Sequence, residues 1–213
     1  MSRAPTRHYV SKLRSQKADA TKGRVLHAAR TLFVRHGIDR ATIAQIAGKA
    51  DVAVPTVYAL YKSKEGVLRE LMRAALFGQR FQAAREKLEG VTDSVRLLAL
   101  TAHVARAIYE DESSELGLMR GASAFSPALR KLEQEFEKIR FEMQEERVRL
   151  LFAQSKEKKG LGFAEARRIL WMYTSRDIYR MLVHESGWTP DRYQEWLSET
   201  LVSGLVNARL RER

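Results

Sequence analysis

The sequence predicts an all-α protein of about nine helices. Across most of its 213 residues, apolar side chains recur every three or four positions, which is the spacing of one face of a helix. No run alternates apolar and polar residues in the way that a half-buried strand does. Caps, glycines and prolines divide the helical pattern into segments. We therefore expect a helical protein without a sheet.

The N-terminal region is predicted to hold a basic arm followed by the first helix. Residues 1–20 are polar, basic and aperiodic, so we expect a flexible arm there. The first helix is predicted over residues 21–36, with an apolar stripe that includes Val25 and Phe33. Gly37 follows the stripe and should end the helix.

Two short helices are predicted within residues 42–64, TIAQIAGKADVAVPTVYALYKSK. Thr42 should cap the first helix, and Ala50-Asp51-Val52 should form the break after it. Pro55 fits the first turn of the second helix, because its missing N–H costs nothing there. Two helices joined by a tight turn form the unit that places a second helix in the major groove of DNA. We therefore assign residues 21–66 to a three-helix, helix-turn-helix DNA-binding domain.

The remaining helices are expected to form a second domain over residues 67–213. A fourth helix is predicted from Ser63 toward Leu88, because its apolar stripe continues until Gly90. The later helices are predicted at 93–110, from 114 to before Pro127, and at about 127–156, 163–184 and 189–209.

Positive charge is concentrated in the predicted DNA-binding segment. Residues 1–64 hold 13 of the 38 Lys and Arg residues but only 3 of the 26 Asp and Glu residues, so this segment carries +10 of the total +12. Basic surfaces attract phosphate backbones and release their counterions. A solvated basic surface is the alternative interpretation, and the adjacent motif favours DNA.

Several classes of protein are disfavoured by the sequence. The chain has no cysteine, no secretory signal pattern and no apolar run long enough to span a membrane, so we expect a cytoplasmic protein. None of the five histidines has a metal-binding partner at helical spacing, and no glycine-rich phosphate loop is present. We expect no metal, no cofactor and no catalytic site.

Residues 21–72 resemble the TetR family of bacterial transcription regulators. The likeness lies in TKGRVLHAARTLFVRHGIDRATIAQIAGKADVAVPTVYALYKSKEGVLRELM, where an amphipathic helix ending in LF and HG precedes IAQIA, TVY and SKE at fixed spacing. The remainder of the chain matches the family by its layout of helices. The resemblance implies an N-terminal DNA-binding domain and a C-terminal helical domain for ligand binding and dimerisation.

The resemblance also implies roles for individual positions. Thr42 and Lys64 match residues that meet DNA phosphates, and Thr56 and Tyr58 match recognition-helix residues that touch phosphates or flank the bases. Packing against the first helix is the alternative for Tyr58. The expected DNA-binding residues are Thr42, Ala53, Val54, Pro55, Thr56, Tyr58, Ala59 and Lys64.

Two departures from the family pattern bear on DNA recognition. Asp51 stands where glycine is usual in the turn, at a position that often needs a left-handed backbone. Ala53, Val54 and Ala59 cannot form bidentate hydrogen bonds with base edges. We expect specificity to come from thymine methyl contacts, DNA shape and the basic arm. The arm either follows the minor groove or is a tail with only nonspecific attraction.

The second domain is expected to bind an effector and a second copy of the chain. Since the inner helix faces show no clear Lys or Arg, we expect a small hydrophobic effector that is neutral or cationic. The expected ligand-binding residues are Phe81, His103, Tyr109, Met119, Phe136, Met143, Trp171 and Tyr173. The expected homodimer interface consists of Ile178, Leu182, Trp196, Leu197, Leu201 and Gly204. Ordinary packing within one subunit is the alternative for some residues of both sets.

These patterns together predict a ligand-responsive transcription regulator, most simply a repressor, that binds a palindromic DNA operator as a dimer. The alternative is an architectural protein that coats DNA without sequence preference, since the recognition helix is apolar and contacts with phosphates alone give nonspecific binding.

Overall fold

The structure is a computed structural model that describes residues 7–110 and 127–207. The described residues are almost entirely helical and include no strand, apart from one isolated antiparallel bridge between Glu157 and Val206. The all-α prediction is therefore confirmed. None of the described helices is long and apolar enough to cross a membrane.

The described part of the chain forms two compact units, one from residues 7–74 and 127–130, the other from 75–110 and 131–207. The expected boundary after residue 66 stays a prediction; in this division the fourth helix groups with the first unit as far as residue 74. The helices of the first unit begin with α1 (Arg7–His36), α2 (Ile43–Ala50), α3 (Val54–Tyr61) and α4 (Lys64–Leu76).

Helix α1 begins much earlier than the sequence pattern indicated. Residues 7–20 were expected in the flexible arm, but they are helical and continuous with residues 21–36. This stretch has neither proline nor glycine, and half of its residues are the good helix formers Arg, Lys, Ala and Leu, so a helix formed downstream extends into it at little cost. Residues 1–6 of the expected arm lie outside the described residues.

The core of the first unit lies between α1 and α2. Val25, Ala29 and Phe33 are buried on α1, as the apolar stripe predicted. Gly37 ends the helix with a left-handed backbone (φ 79°), and its N–H donates to the carbonyl of Phe33 at 2.9 Å. Ile46 is fully buried on the facing side of α2.

The second unit is built around one buried helix. Its helices are α5 (Gln79–Glu86), α6 (Ser94–Glu110), α7 (Pro127–Met143), α8 (Glu145–Ala153), α9 (Phe163–Tyr173), α10 (Arg176–Tyr179), which continues as a π-helix over Arg180–Glu185, and α11 (Pro190–Leu205). Helix α6 packs against α5, α8 and most extensively α11. The predicted short helix between residues 114 and 126 lies outside the described residues.

Three of the long helices expected from the sequence are interrupted. The fourth breaks at Phe77-Gly78, the seventh at Gln144, and the eighth at Thr174-Ser175. At the last break the Ser175 hydroxyl accepts a hydrogen bond from the N–H of Ile178, so a new helix begins there. The apolar period continues across each break, which explains why periodicity alone did not reveal them.

Candidate functional site

Helices α2 and α3 form a rigid helix-turn-helix. Thr42 and Gln45 make a reciprocal capping box: the Thr42 hydroxyl accepts from the N–H of Gln45 at 3.2 Å, and the Gln45 side-chain oxygen accepts from the N–H of Thr42 at 2.9 Å. Asp51 ends α2 in the left-handed conformation (φ 53°, ψ 55°). The predicted left-handed turn position is therefore confirmed, and aspartate tolerates it better than most residues.

Helix α3 buries one side and exposes the other. Val57 is fully buried, and α3 packs on α2. Most of the predicted DNA-binding residues of this segment are exposed, namely Ala53, Val54, Pro55, Tyr58 and Ala59, whereas Thr56 is half-buried. The exposed side is therefore available to a large partner.

The two tyrosines of α3 occupy different environments. Tyr58 is 49% exposed, which argues against its alternative assignment to packing on α1. Tyr61 is half-buried, and its hydroxyl donates to the carbonyl of Lys22 on α1 at 3.3 Å. Burial, with a smaller contribution from Glu70, raises the pKa of Tyr61. Tyr61 therefore fixes the helix, while Tyr58 is free to contact a partner.

Thr42 is exposed and retains a hydrogen-bond donor. Its hydroxyl oxygen accepts the capping bond, so the hydroxyl proton can still be donated to a phosphate oxygen. The N-terminus of α2 adds partial positive charge at the same point. This geometry is compatible with the predicted phosphate contact.

Lys64 is more constrained than its sequence position indicated. Its half-buried ammonium group donates to the carbonyl oxygens of Ile38 at 2.8 Å and Asp39 at 3.2 Å. These bonds use two of its three N–H donors and attach the start of α4 to the segment that follows α1. Lys64 therefore has a structural role, and one donor remains for the predicted phosphate contact.

The start of α4 also depends on Gly66, which no sequence pattern indicated. The N–H of Gly66 donates to the Ser63 hydroxyl at 3.1 Å, which is the cap predicted for Ser63. A Cβ atom on Gly66 would lie 1.9 Å from the carbonyl oxygen of Tyr61. Only glycine allows α3 and α4 to meet so closely.

In the second unit, the predicted ligand-binding residues do not converge on one cavity. Phe81 and Met143 line a cavity of about 20 Å³ among α5, α6, α7 and α8. His103 lies in a separate surface groove with Lys87 and Arg106, and burial followed by the charge of these two neighbours lowers its pKa. Met119 lies outside the described residues.

The other predicted ligand-binding residues have packing roles in the structure. Tyr109 is buried, and its hydroxyl donates to the carbonyl of Thr174 at 2.9 Å. The buried ring of Phe136 contacts Phe77, and the ring of Tyr173 contacts Trp196. Trp171 is 37% exposed, lines a different surface groove, and donates through its indole N–H to Glu137. These four residues do not line the small cavity, because helix packing directs them elsewhere.

The cavity lining contains cationic side chains, although the inner helix faces were expected to show no clear Lys or Arg. Two arginines, Arg140 and Arg147, line the cavity and are 7% and 8% exposed, respectively, together with the buried Gln144. Met143 belongs to the expected ligand-binding residues, whereas Arg140, Gln144 and Arg147 do not. The buried stripe of α7 steps by four residues from Leu132 and Phe136 to Arg140 and Gln144. This four-residue spacing was the signal in the sequence that could have identified Arg140 and Gln144 as buried residues.

Thr174 explains why these polar residues are buried. Its hydroxyl oxygen accepts hydrogen bonds from Arg140 at 2.8 Å and from the Gln144 amide at 2.7 Å. Arg140 also donates to the carbonyl of Trp171 and pairs with Glu137 at 2.5 Å. The network satisfies the end of α9 and holds it against α7.

The predicted dimer residues fall into two groups. Leu197 and Leu201 are fully buried within one protomer, where α11 packs on α6, which favours the alternative of ordinary packing within one subunit for these two residues. The others are half-buried: Ile178, Leu182, Trp196 and Gly204. Two further side chains nearby in sequence, Met172 and Met181, are 47% and 40% exposed.

Comparisons with known proteins agree with the architecture of the first unit. Residues 25–71 match the family model for bacterial regulatory proteins of the tetR family. Over 58 residues the chain is 38% identical to an uncharacterized HTH-type transcriptional regulator of Mycobacterium tuberculosis, a match that covers 27% of this chain and 30% of that protein. A regulator of Mycobacterium bovis matches to the same extent. The chain therefore spans about 30% of the length of these curated relatives.

Solved structures with a similar fold cover most of the chain. The SmeT–triclosan complex has a TM-score of 0.68 at 19% identity and covers 89% of this chain and 93% of that one. NalD, the secondary repressor of the MexAB-OprM multidrug efflux pump in Pseudomonas aeruginosa, has a TM-score of 0.64 at 21% identity, with coverages of 90% and 98%. FadR from Bacillus subtilis in complex with stearoyl-CoA has a TM-score of 0.64 at 20% identity, with coverages of 85% and 97%. The likeness establishes a shared fold.

Proposed function

We propose that this chain, whose N-terminal segment is a helix-turn-helix domain of the TetR type, is a transcription regulator that binds an operator in duplex DNA. The single observation that carries the proposal is the exposed side of α3. Val57 fixes the helix from beneath, while Val54 and Tyr58 are 37% and 49% exposed. A short helix presented in this way after a tight turn fits the major groove.

Phosphate contacts would set the register of the helix pair on DNA. Thr42 offers its hydroxyl proton and the positive end of α2, and the exposed Tyr58 offers a phenol. Lys49 and Lys62 are exposed at the ends of α2 and α3 and add positive charge. Lys64 would contribute its remaining N–H donor. Base recognition would then rely on Val54 and Ala59 against thymine methyl groups and on DNA shape.

The regulator is proposed to act as a homodimer. One helix-turn-helix makes few base contacts, and two copies on an inverted repeat double them. The half-buried Ile178 and Leu182 and the exposed Met172 and Met181 supply apolar surface for such an interface. Gly204 adds room, because no atom lies within 4 Å of the position that its Cβ would take.

Control by a small molecule is proposed to use the cavity lined by Phe81 and Met143. The cavity lies within the second unit, and its lining combines apolar side chains with a few polar groups, as ligand sites do. Two proteins of similar fold are known in complex with triclosan and with stearoyl-CoA. Ligand binding would alter operator affinity only through different affinities for two states of the protein. We propose repression as the direction of control.

A second candidate function is architectural, nonspecific DNA binding. The exposed side chains Ala53, Val54 and Ala59 favour it, since none of them can form a hydrogen bond with a base edge. The DNA affinity of such a protein would come from neutralisation of phosphate charge alone.

Selection from a pool of random DNA duplexes with the full-length protein would separate these functions. We expect the recovered sequences to align on an inverted repeat. Tyr58→Ala should weaken recovery, whereas Val34→Ala, an exposed change on α1, should not alter it. Retained DNA binding with no aligned sequence would contradict the regulator and support the architectural function.

A further inference from the structure

Arg147 is a buried cation that pairs with no carboxylate in the part of the chain that the structure describes. It lies on α8, lines the cavity beside Phe81, and is 8% exposed. Among the described residues, no hydrogen-bond acceptor meets its Nε atom, and a terminal nitrogen donates only a long hydrogen bond of 3.4 Å to the carbonyl of Met143. Burial, followed by the nearby charge of Arg85, lowers the pKa of Arg147 to about 10. The guanidinium group therefore stays charged at neutral pH.

The other arginine of the cavity, Arg140, has several hydrogen-bond acceptors. Arg140 pairs with Glu137 and donates to the Thr174 hydroxyl and the Trp171 carbonyl. Arg147 has no comparable set of acceptors among the described residues. A buried charge without an opposite charge is costly, and such groups persist mainly where an anion binds.

Gln144 supplies a second unmatched group in the same cavity. Its amide nitrogen donates to Thr174 at 2.7 Å, but its side-chain oxygen has no donor among the described residues. Gln144 and Arg147 line the same cavity, and the guanidinium group can donate charge-assisted hydrogen bonds to an anionic group that enters it.

Much of the cavity lining is apolar. Phe77, Phe81, Val104, Ala105 and Ile108 provide it from the end of α4 through α6. A cavity that combines apolar side chains with a buried cation matches an amphiphilic acid, with a hydrocarbon body and one anionic end.

We infer that the cavity is an effector site for an amphiphilic organic anion whose charged end binds Arg147. This inference rests on the proposed function and names the chemical class of its effector. It commits to an organic acid in place of the neutral or cationic compound that the sequence favoured.

The cavity must widen to accept such a molecule. Its volume of about 20 Å³ corresponds to a single water, well below the size of a drug-like ligand. Met143 lines the cavity and is also 37% exposed, so this residue reaches both the cavity and the protein surface. An unbranched thioether changes rotamer easily, which makes this residue a suitable entrance.

Calorimetric titration of the full-length protein with three probes of equal chain length tests the inference. The probes are octanoate, 1-octanol and octylammonium. We expect octanoate to bind most tightly, and Arg147→Met to weaken octanoate by about tenfold or more, since charge-assisted hydrogen bonds are lost. Arg149→Met, an exposed change on the same helix, should leave octanoate affinity unchanged. Equal affinities of the wild-type protein for octanoate and octanol would overturn the inference. An octanoate affinity of Arg147→Met equal to that of the wild type would also overturn it.

A conservative variant keeps the test decisive if Arg147→Met does not fold. Arg147→Lys retains the charge but not the planar fork, so octanoate should still be preferred over octanol but bind more weakly. An Arg147→Lys protein with wild-type octanoate affinity would argue against direct contact.

Operator binding by the same preparations separates failure of the inference from failure of the proposed function. Specific DNA binding without any preference for octanoate would reject only the anionic effector. Absence of specific DNA binding would reject the regulator itself. Octanoate binding that leaves operator affinity unchanged would overturn the assignment as an effector site.

Discussion

The ammonium group of Lys64 lies 2.8 Å from the carbonyl oxygen of Ile38. The contact joins the first residue of α4 to the segment between α1 and α2. It therefore connects the two ends of the part of the chain that contains α2 and α3. A residue expected only to bind phosphate thus also stabilises the domain that presents α3.

Lys64→Ala should therefore affect both stability and DNA binding. We expect a loss of about 1 kcal/mol in the free energy of unfolding, because two charge-assisted hydrogen bonds at a half-buried site disappear. Affinity for operator and random DNA should fall by similar factors, with a salt dependence shallower by about one unit. Denaturant unfolding and binding titrations at several salt concentrations would measure these effects. Lys49→Ala, at an exposed site, should leave stability unchanged; equal stability losses in the two variants would remove the structural role of Lys64.

The tyrosines of α3 should separate binding from stability. Tyr58→Phe should weaken DNA binding and change the free energy of unfolding by less than about 0.5 kcal/mol, as for an exposed site. Tyr61→Phe should lower stability by about 0.5–1 kcal/mol, because its bond to the Lys22 carbonyl is lost, while the DNA-facing groups remain. Thermal unfolding and operator titration of both variants would measure the difference. Lower stability in Tyr58→Phe together with weaker DNA binding in Tyr61→Phe would contradict these two assignments.

Gly66 should not tolerate a side chain. A Cβ atom 1.9 Å from the Tyr61 carbonyl forces α3 and α4 apart, so Gly66→Ala should cost about 2–3 kcal/mol. Gly48→Ala is the matched control, since no atom lies within 4 Å of its Cβ position in α2. That change should stabilise the protein slightly through helix propensity. Equal stabilities of the two variants, measured by denaturant unfolding, would show that the contact relaxes freely.

The helix-turn-helix could be predicted because its signals are local. The Thr42 cap, the left-handed Asp51, Pro55 in the first turn of α3 and Gly37 after α1 each act on neighbouring residues only. Their effects on the local backbone do not depend on the rest of the chain. The same local signals led to a correct all-α assignment.

The second unit was less predictable because tertiary contacts decide it. The buried Arg140 and Gln144 both donate to the Thr174 hydroxyl, about thirty residues away, which no local pattern predicts. Leu197 and Leu201 read as a surface stripe, yet α6 covers them within the same subunit. Apolar spacing identifies a buried face but does not identify what covers it.

The dimer proposal predicts a difference between exposed and buried apolar residues. Met181→Glu should shift the protein toward monomer with its helices intact, since a charge enters an apolar interface. Leu201→Glu should instead unfold the second unit, because a carboxylate would be buried without a partner. Sedimentation velocity and circular dichroism would distinguish these outcomes. Val34→Glu adds the same charge on α1 and should leave the oligomeric state unchanged; a Met181→Glu dimer as stable as the wild type would place the interface elsewhere.

The central claim is that the exposed side of α3 recognises a particular DNA sequence. Its most direct test is the ratio of dissociation constants for the selected inverted repeat and for a scrambled duplex of equal length, at one fixed salt concentration. We predict a preference for the inverted repeat of about 1,000-fold or more, with two protomers bound per repeat. A ratio near one, with both duplexes bound equally well, would contradict the account.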